Sequence, residues 1–419
     1  MKPSGIEWIG DIPDDWEVRR GKYTLDLLMR PIRDNDEIIT CFRDGQVTRR
    51  SNRREDGFTF ADKEIGYQGI LKGDLVIHGM DGFAGAIGIS DSDGKGSPVL
   101  NVCRPKNGSD TRYINYYLRT LALQNVFIAL STGIRERSCD LRWKKIAELL
   151  FTIPPLKTQQ RIADYLDEKC VEIDATIAKQ KENIEKLKAY KQSLISETVT
   201  KGLDKSAPLK PSGIDYLGDI PAHWEVIKTK FLFNVYGGST PKVNVPEYWG
   251  DKITWITPGE LGDDIKIVLN SKRMLSEKGL NSCGATLVSK GSIIISNRAP
   301  IGQVCLAGSE LCTNQGCKSL VAKIKLSCLF FYYFFKVQSE VLNMLGNGTT
   351  FMELSTSDLL NFKIPCPTIK EQQKIADYLD SKCSQIDKYI TEKQNIIQKL
   401  DAYKKSLIFE CITGKHKIY

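Results

Sequence analysis

The chain has 419 residues, 26% of them charged and 41% hydrophobic, and a formal charge of +8 at pH 7. That length exceeds one ordinary core and predicts two or more domains, while the excess of Lys and Arg favours an acidic partner, nucleic acid first. The start, Met1-Lys2-Pro3-Ser4-Gly5, is too polar for a secretory leader, and the longest apolar run, residues 329–335, is far too short to span a bilayer, so a cytoplasmic chain is expected.

The opening KPSGIEWIGDIPDDWEVRRGKY predicts a turn at Ile12-Pro13 and a first strand over residues 16–19, with Trp16 as a core anchor. Short strands follow at residues 38–42, 70–78, 84–90 and 98–103, separated by Asp-Gly and Gly-rich turns, and then a helix over residues 112–130. Within this stretch Arg43, Arg49, Arg50, Arg53 and Arg54 crowd a polar, turn-rich segment. The arginine fork matches phosphate and the guanine edge, which makes the segment a candidate DNA contact; the competing reading is a solvated loop partly neutralised by Glu55 and Asp56. Arg135, Arg137, Arg142 and Lys144, with Lys145, form a second basic cluster after Gly133.

Ile153-Pro154-Pro155 stops the last strand, and a long helix is predicted over residues 156–201. Steps of four and three place Leu166, Cys170, Ile173, Ile177, Gln180, Ile184, Leu187, Lys191 and Leu194 on one stripe. A seven-residue rhythm held this long, without Pro or Gly, calls for a supercoiled helix that seeks a partner.

After a linker over residues 202–209 the plan starts again. Lys210 opens KPSGIDYLGDIPAHWEVIKTKF, a shift of 210 − 2 = 208, with Trp224 in the place of Trp16. Strands are predicted at residues 254–256, 291–296, 303–307 and 318–322, and a helix at 328–345 whose run Phe330 to Phe335 reads as core rather than base stacking. The segments GDLVI at Gly73 and GSIII at Gly291 occupy matching places. Candidate contacts here are loop residues: Lys242 after Gly237-Gly238-Ser239-Thr240-Pro241, Thr257, Asn297, Arg298, Asn314 and Gln315. Asn and Gln can pair bidentately with adenine and Arg with guanine, although the same residues also hold turns together.

A second proline punctuation, Ile364-Pro365-Cys366-Pro367, precedes a second long helix, with QQ-x-IADYLD-x-KC in common with the first and a shift of 370 − 157 = 213. Its stripe runs through Leu379, Cys383, Ile386, Ile390, Lys393, Ile397, Leu400, Lys404 and Leu407, so both copies break the apolar pattern at the same two steps. The obvious partner of each helix is the other, and two copies closing one interface by a local dyad would lie antiparallel. Gln180, Lys191 and Lys404 then become polar breaks that fix register. At about 1.5 Å per residue such a helix is a rod of roughly 60 Å. The expected fold class is α/β (α+β): two mixed α/β domains separated by two long antiparallel helices forming a coiled coil, with a pseudo-twofold internal repeat.

Catalytic motifs do not emerge. Neither Gly94-Lys95-Gly96-Ser97 nor Gly414-Lys415-His416 completes a phosphate loop, and Gly82, Gly85 and Gly88 read as a glycine-relieved strand. No Asn-Pro-Pro-Tyr or Asp-Pro-Pro-Tyr segment of the amino-methyltransferase kind is written. Twelve cysteines without CxxC pairs and only His78, His223 and His416 support neither a metal site nor a disulfide framework.

The twice-written KPSG-I-x-x-x-GDIP-x-x-W and QQ-x-IADYLD-x-K, together with Pro246-Glu247-Tyr248-Trp249-Gly250, the run from Ser296 to Gly302, and Thr313-Asn314-Gln315-Gly316, resemble the specificity subunit of Type I restriction-modification systems. The resemblance covers nearly the whole chain. It implies a first target recognition domain at residues 1–155, conserved helices at 156–201 and 368–419, a linker at 202–209 and a second target recognition domain at 210–367. It also implies a non-catalytic subunit that reads a bipartite duplex DNA target with a non-specific spacer. Its partners would be two modification subunits docked along the helices, where scaffold and docking are expected near Gln159, Gln160, Tyr165, Gln372, Gln373 and Tyr378, and restriction subunits. The chain itself would hold no cofactor; S-adenosylmethionine, ATP and Mg would belong to those partners. The alternatives are a free-standing DNA-binding regulator or a coiled-coil interaction scaffold of the same architecture.

Overall fold

The computed structural model describes residues 1–53, 65–129, 141–262, 265–346 and 352–418. Two compact units emerge: Met1–Gln180 with Gln394–Tyr419, and Lys181–Lys393. Each takes a stretch of both long helices, so the units cut across the helices instead of dividing at the prolines.

In the first unit β1 (Glu17–Arg20), β2 (Leu25–Leu28), β3 (Leu75–His78), β4 (Ile87–Ile89), β5 (Leu100–Pro105), α1 (Thr111–Leu123) and β6 (Leu150–Ile153) precede the long helix α2 (Leu156–Lys201). β2, β5, β3 and β4 form an antiparallel sheet in that order, and β1 pairs with β6. Alternation along β3 explains its unbroken apolar sequence: Leu75 and Ile77 enter the core under α1 with Tyr113, Tyr117 and Leu121, while Val76 enters a second core with Ile39, Cys41 and Ile70.

The second unit repeats this plan with β7 (Glu225–Lys228), β8 (Phe233–Gly237), β9 (Ile293–Ser296), β10 (Val304–Ala307), β11 (Cys317–Ala322), α3 (Cys328–Val337), β12 (Lys363–Cys366) and the second long helix α4 (Ile369–Ile412). The order β8, β11, β9, β10 matches that of the first unit, with Ile267–Val268 added in parallel at the edge. Ile293 and Ile295 face the core under α3 and Ile294 faces another, as the matching segments at Gly73 and Gly291 predict.

Some expected elements are shorter. The strand expected at residues 70–78 is two pieces, Gln68–Ile70 and β3, parted by a turn at Gly73 (φ +89°) in which buried Asp74 accepts the Leu71 N–H and pairs with Arg30 and Arg104. The helix expected at 112–130 ends at Leu123, because Asn125 turns left-handed (φ +57°), and resumes for one turn at Val126–Ala129. Gly82–Ala84 is a 3₁₀ turn, so of residues 84–90 only Ile87–Ile89 pair as a strand. Trp16 and Trp224 are buried, edge-on to Tyr113 and Phe330, and the whole run from Phe330 to Phe335 is core.

One device fastens each sheet to its helix. In the first unit buried Gln159 accepts the Asp110 N–H and donates to the Pro154 carbonyl; in the second, buried Gln372 accepts the Ser327 N–H and donates to the Pro367 carbonyl. Tyr116 donates to Asp167, which also pairs with Arg112; Tyr333 donates to Asp380, which also pairs with Lys266. Burial and the adjacent carboxylate push both phenols up.

All eighteen stripe positions are buried or half-buried. Leu166, Ile173, Ile177, Ile184, Leu379 and Ile386 are buried, with Leu187, Ile390, Ile397 and Leu400 half-buried. Two lysines on the stripe are satisfied by aspartates: Lys404 pairs with Asp174 at 2.6 Å in the first unit and Lys191 with Asp387 at 2.6 Å in the second. Two of the expected polar breaks, Lys191 and Lys404, are thus Lys–Asp pairs, and each of these lysines meets an aspartate from the other copy of the helix. Tyr165 stacks on His416 and Arg161 donates to the Ile418 carbonyl, so in the first unit the α2 segment runs against the chain direction of the α4 segment.

Candidate nucleic-acid interface

In the first unit the arginine-rich segment folds as a hairpin. Ile39–Cys41 pairs with Val47–Arg49, and Gly45 (φ +93°) makes the turn, where a Cβ would lie 1.6 Å from the Arg119 guanidinium. Half-buried Arg119, from α1, props this turn from behind by donating to the Gly85 and Ile87 carbonyls, and desolvation lowers its pKa.

The hairpin brings most of the predicted arginines together. Arg43, Arg50 and Arg53 line a cavity of about 560 Å³ with Phe42, Asp44, His78 and Asp81. Arg43 pairs with Asp81 at 2.8 Å and Arg53 with Asp44 at 2.8 Å, and the Arg53 guanidinium lies 4.2 Å from the Phe42 ring centroid. Arg49 faces Glu37 at 2.8 Å, and Arg50 donates to Thr40. Sequence reasoning missed His78, whose Nδ1 accepts the Met80 and Asp81 N–H groups; burial lowers its pKa, which favours the neutral ring with its proton on Nε2. The Cys41 thiol beside it is pushed up to about 12 by burial and is inert. Arg142 and Lys144 are exposed. Arg54, Arg135 and Arg137 lie outside the described residues.

In the second unit the predicted loop residues converge. The Ser239 N–H donates to the Thr313 carbonyl, Thr240 to Gln315, the Asn314 N–H to the Ile256 carbonyl and the Asn297 N–H to the Gly316 carbonyl. A Cβ on Gly238 would lie 2.1 Å from the Asn314 carbonyl oxygen, so only glycine permits this approach. Their roles then divide. Lys242 and Gln315 are exposed, and Arg298 is held outward by Glu353. Asn297 is fully buried with Nδ2 on Glu353, Asn314 closes its turn by accepting the Gly316 N–H, and Thr257 caps a 3₁₀ turn with Glu260. These three side chains hold the loops in shape. Lys318, which sequence reasoning passed over as strand, is also buried in the cluster, and burial lowers its pKa.

Both candidate sites stand at the same distance from their helix. β5 runs from Leu100, at the cavity, to Pro105, five residues (110 − 105) before Asp110 on the Gln159 latch. β11 runs from Cys317, at the loops, to Ala322, five residues (327 − 322) before Ser327 on the Gln372 latch. A strand of six residues places each site about 17 Å from the latched end of its sheet.

On the helices Gln160 and Gln373 are exposed while Tyr165 and Tyr378 are half-buried. Of the glutamine pairs expected to serve as scaffold and docking residues, Gln159 and Gln372 hold the sheets, while Gln160 and Gln373 face outward and Gln373 donates to Asp377.

A family model described as the Type I restriction modification DNA specificity domain matches residues 52–189 and 221–402. Among curated proteins of Methanocaldococcus jannaschii, the MjaIX type I restriction enzyme specificity subunit is 41% identical over 39% of this chain and 38% of its own length. Another chain of that organism, provisionally named the MjaX specificity subunit, is 25% identical over 98% of this chain and 96% of its own. Among solved structures, a chain from work on complex assembly and conformational transition of the type I R-M system superposes with a TM-score of 0.76 at 16% identity, over 97% of this chain and 100% of its own. The HsdS subunit of Thermoanaerobacter tengcongensis gives 0.57 at 16% identity over 97% and 98%. At such identities these two speak for the fold alone.

Proposed function

The chain belongs to the Type I restriction modification DNA specificity family, and from that premise we propose that it is the non-catalytic DNA-reading subunit of a type I restriction-modification complex. Residues 1–155 and 210–367 act as target recognition domains, each reading one half of a bipartite duplex target. The duplicated helices form an antiparallel coiled coil around a pseudo-twofold axis and set the spacing. Two modification subunits dock along that frame, with restriction subunits completing the endonuclease; S-adenosylmethionine, ATP and Mg serve those partners.

The observation that carries this reading is a shared frame with unlike ends. Both sheets have one strand order, one glutamine latch and one latch-to-loop distance, while the loops differ: an arginine hairpin in one unit, a Gly-Thr-Asn-Gln cluster in the other. One antiparallel register also accounts for both Lys–Asp bridges, since 17 residues forward on α2 (191 − 174) equals 17 residues back on α4 (404 − 387). A dyad inverts the polarity of the half-sites, and spacing of the order of one DNA turn, about 10 base pairs, fits such a rod.

The test is methylome sequencing of a host carrying this chain and its modification partner. Two unlike half-sites around a fixed spacer of any sequence are expected. One continuous motif would overturn the reading.

A further inference from the structure

We propose that Arg53 reads a guanine in the half-site of the first unit, with Phe42 and Asp44 as its positioning residues. The inference rests on the DNA-reading function proposed above and names the base class that one residue selects.

Direct readout of guanine needs two parallel N–H donors facing O6 and N7, held so that little side-chain entropy is lost on contact. Arg53 meets those terms better than its neighbours. Its Nη1 is tied to Asp44 Oδ2 at 2.8 Å and its plane lies over the Phe42 ring at 4.2 Å, so the long side chain is held from an edge and from a face. Asp44 is itself fixed, because its Oδ1 accepts the Gln46 N–H at 3.1 Å across the hairpin turn. With Nη1 engaged, the Nε–Nη2 edge is the fork that remains, and among the described residues it meets no hydrogen-bond partner. Arg43 differs, since its pair with Asp81 is made through Nη2, the atom that this side-on fork requires. Arg49 pairs with Glu37 and Arg50 turns to Thr40 inside the hairpin.

The setting matches the chemistry. The Arg53 side chain keeps 36% of its surface exposed at the cavity, a strand's length from the helix latch. Asp44 beside it also accepts, which suits the N4 amino group of the paired cytosine.

The experiment is methylome sequencing with the full complex carrying Arg53→Ala, Asp44→Asn or Phe42→Leu, alongside the unaltered chain. Asp44→Asn can keep the oxygen that closes the turn while it replaces the Oδ2 that holds Arg53 with an NH2 donor and removes the charge. Arg53→Ala is expected to relax one position of one half-site from G·C to any pair, with discrimination at that position falling about ten- to hundredfold. The two positioning variants relax the same position less, and the other half-site stays intact in all three, which controls for folding and assembly. Uniform loss of modification with the motif unchanged would make Arg53 a phosphate contact and overturn the proposal, as would a first half-site without a G·C pair. A single continuous motif from the unaltered chain would instead sink the bipartite reading itself.

Discussion

Lys404 and Asp174 stand 230 residues apart in sequence (404 − 174) and 2.6 Å apart in space, and the residues that correspond to them by the internal repeat, Lys191 and Asp387, form the other bridge with the copies exchanged. A lysine on an apolar stripe is normally a defect. Here each is half-buried, with its Nζ on a carboxylate that is itself more than half exposed, so the defect specifies a register at little cost.

A charge-reversal cycle reads that specificity. Asp174→Lys alone should lower Tm by a few degrees, and combining it with Lys404→Asp should restore most of the loss. Because the aspartate is 57% exposed, the coupling should stay at about 0.5–1 kcal/mol. Lys404→Leu should be neutral or slightly stabilising by denaturant melt while broadening the choice of register. A coupling of zero would show that the bridge does not set register.

Adjacent glutamines should behave oppositely. Gln159→Ala leaves the Asp110 N–H and the Pro154 carbonyl without a partner in a buried site, a loss of about 2–4 kcal/mol; Gln160→Ala, on the exposed side, should stay within about 0.5 kcal/mol. Gln372→Ala and Gln373→Ala should repeat the contrast. Urea titration of the four variants checks it, and a destabilised Gln160 variant would count against the assignment.

Glu371 sets an acid limb. Burial pushes its carboxyl up, but hydrogen bonds from His223, Thr368 and Trp224 outweigh that and hold it below its ordinary value of 4.5. A carboxyl lowered in the folded state adds stability that is fully present above its unfolded pKa and lost as pH falls through the folded one. Glu371→Gln should therefore have a lower Tm than the unaltered chain at pH 7, and the difference should shrink between about pH 5 and pH 3. A constant difference across that window would reject the linkage.

The loops of the second unit should fail selectively. In Gly238→Ala the new methyl meets the Asn314 carbonyl and the Thr313 hydroxyl, so the loops must part. Modification should lose discrimination in one half-site, while Arg142→Ala and Lys144→Ala, at exposed cations of the first unit, should weaken binding to all sequences and lower the salt slope by about one each. Methylation motifs and binding titrations over a salt series separate the two behaviours.

Local pattern carried the sequence reading a long way. Heptad spacing located both stripes, the shifts of 208 and 213 exposed the duplication, and the matching apolar runs in GDLVI and GSIII marked the central strands, because such patterns are properties of neighbours along the chain. Choices between adjacent residues were beyond it. Gln159 and Gln160 are the same residue type one position apart, and only the turn that starts α2 decides which one meets Asp110. Asn297 and Arg298 look equally fit to read a base, yet strand pairing at β9 sends Asn297 inside.

The amino-acid sequence alone therefore determined that one plan is written twice, that its helices need partners and that its loops differ, since these are matters of periodicity and repetition. The tertiary structure decided which aspartate answers each lysine, which glutamine becomes a latch and which arginine keeps an open edge. Such pairings depend on geometry between residues tens to hundreds of positions apart, and no local preference of the chain encodes that.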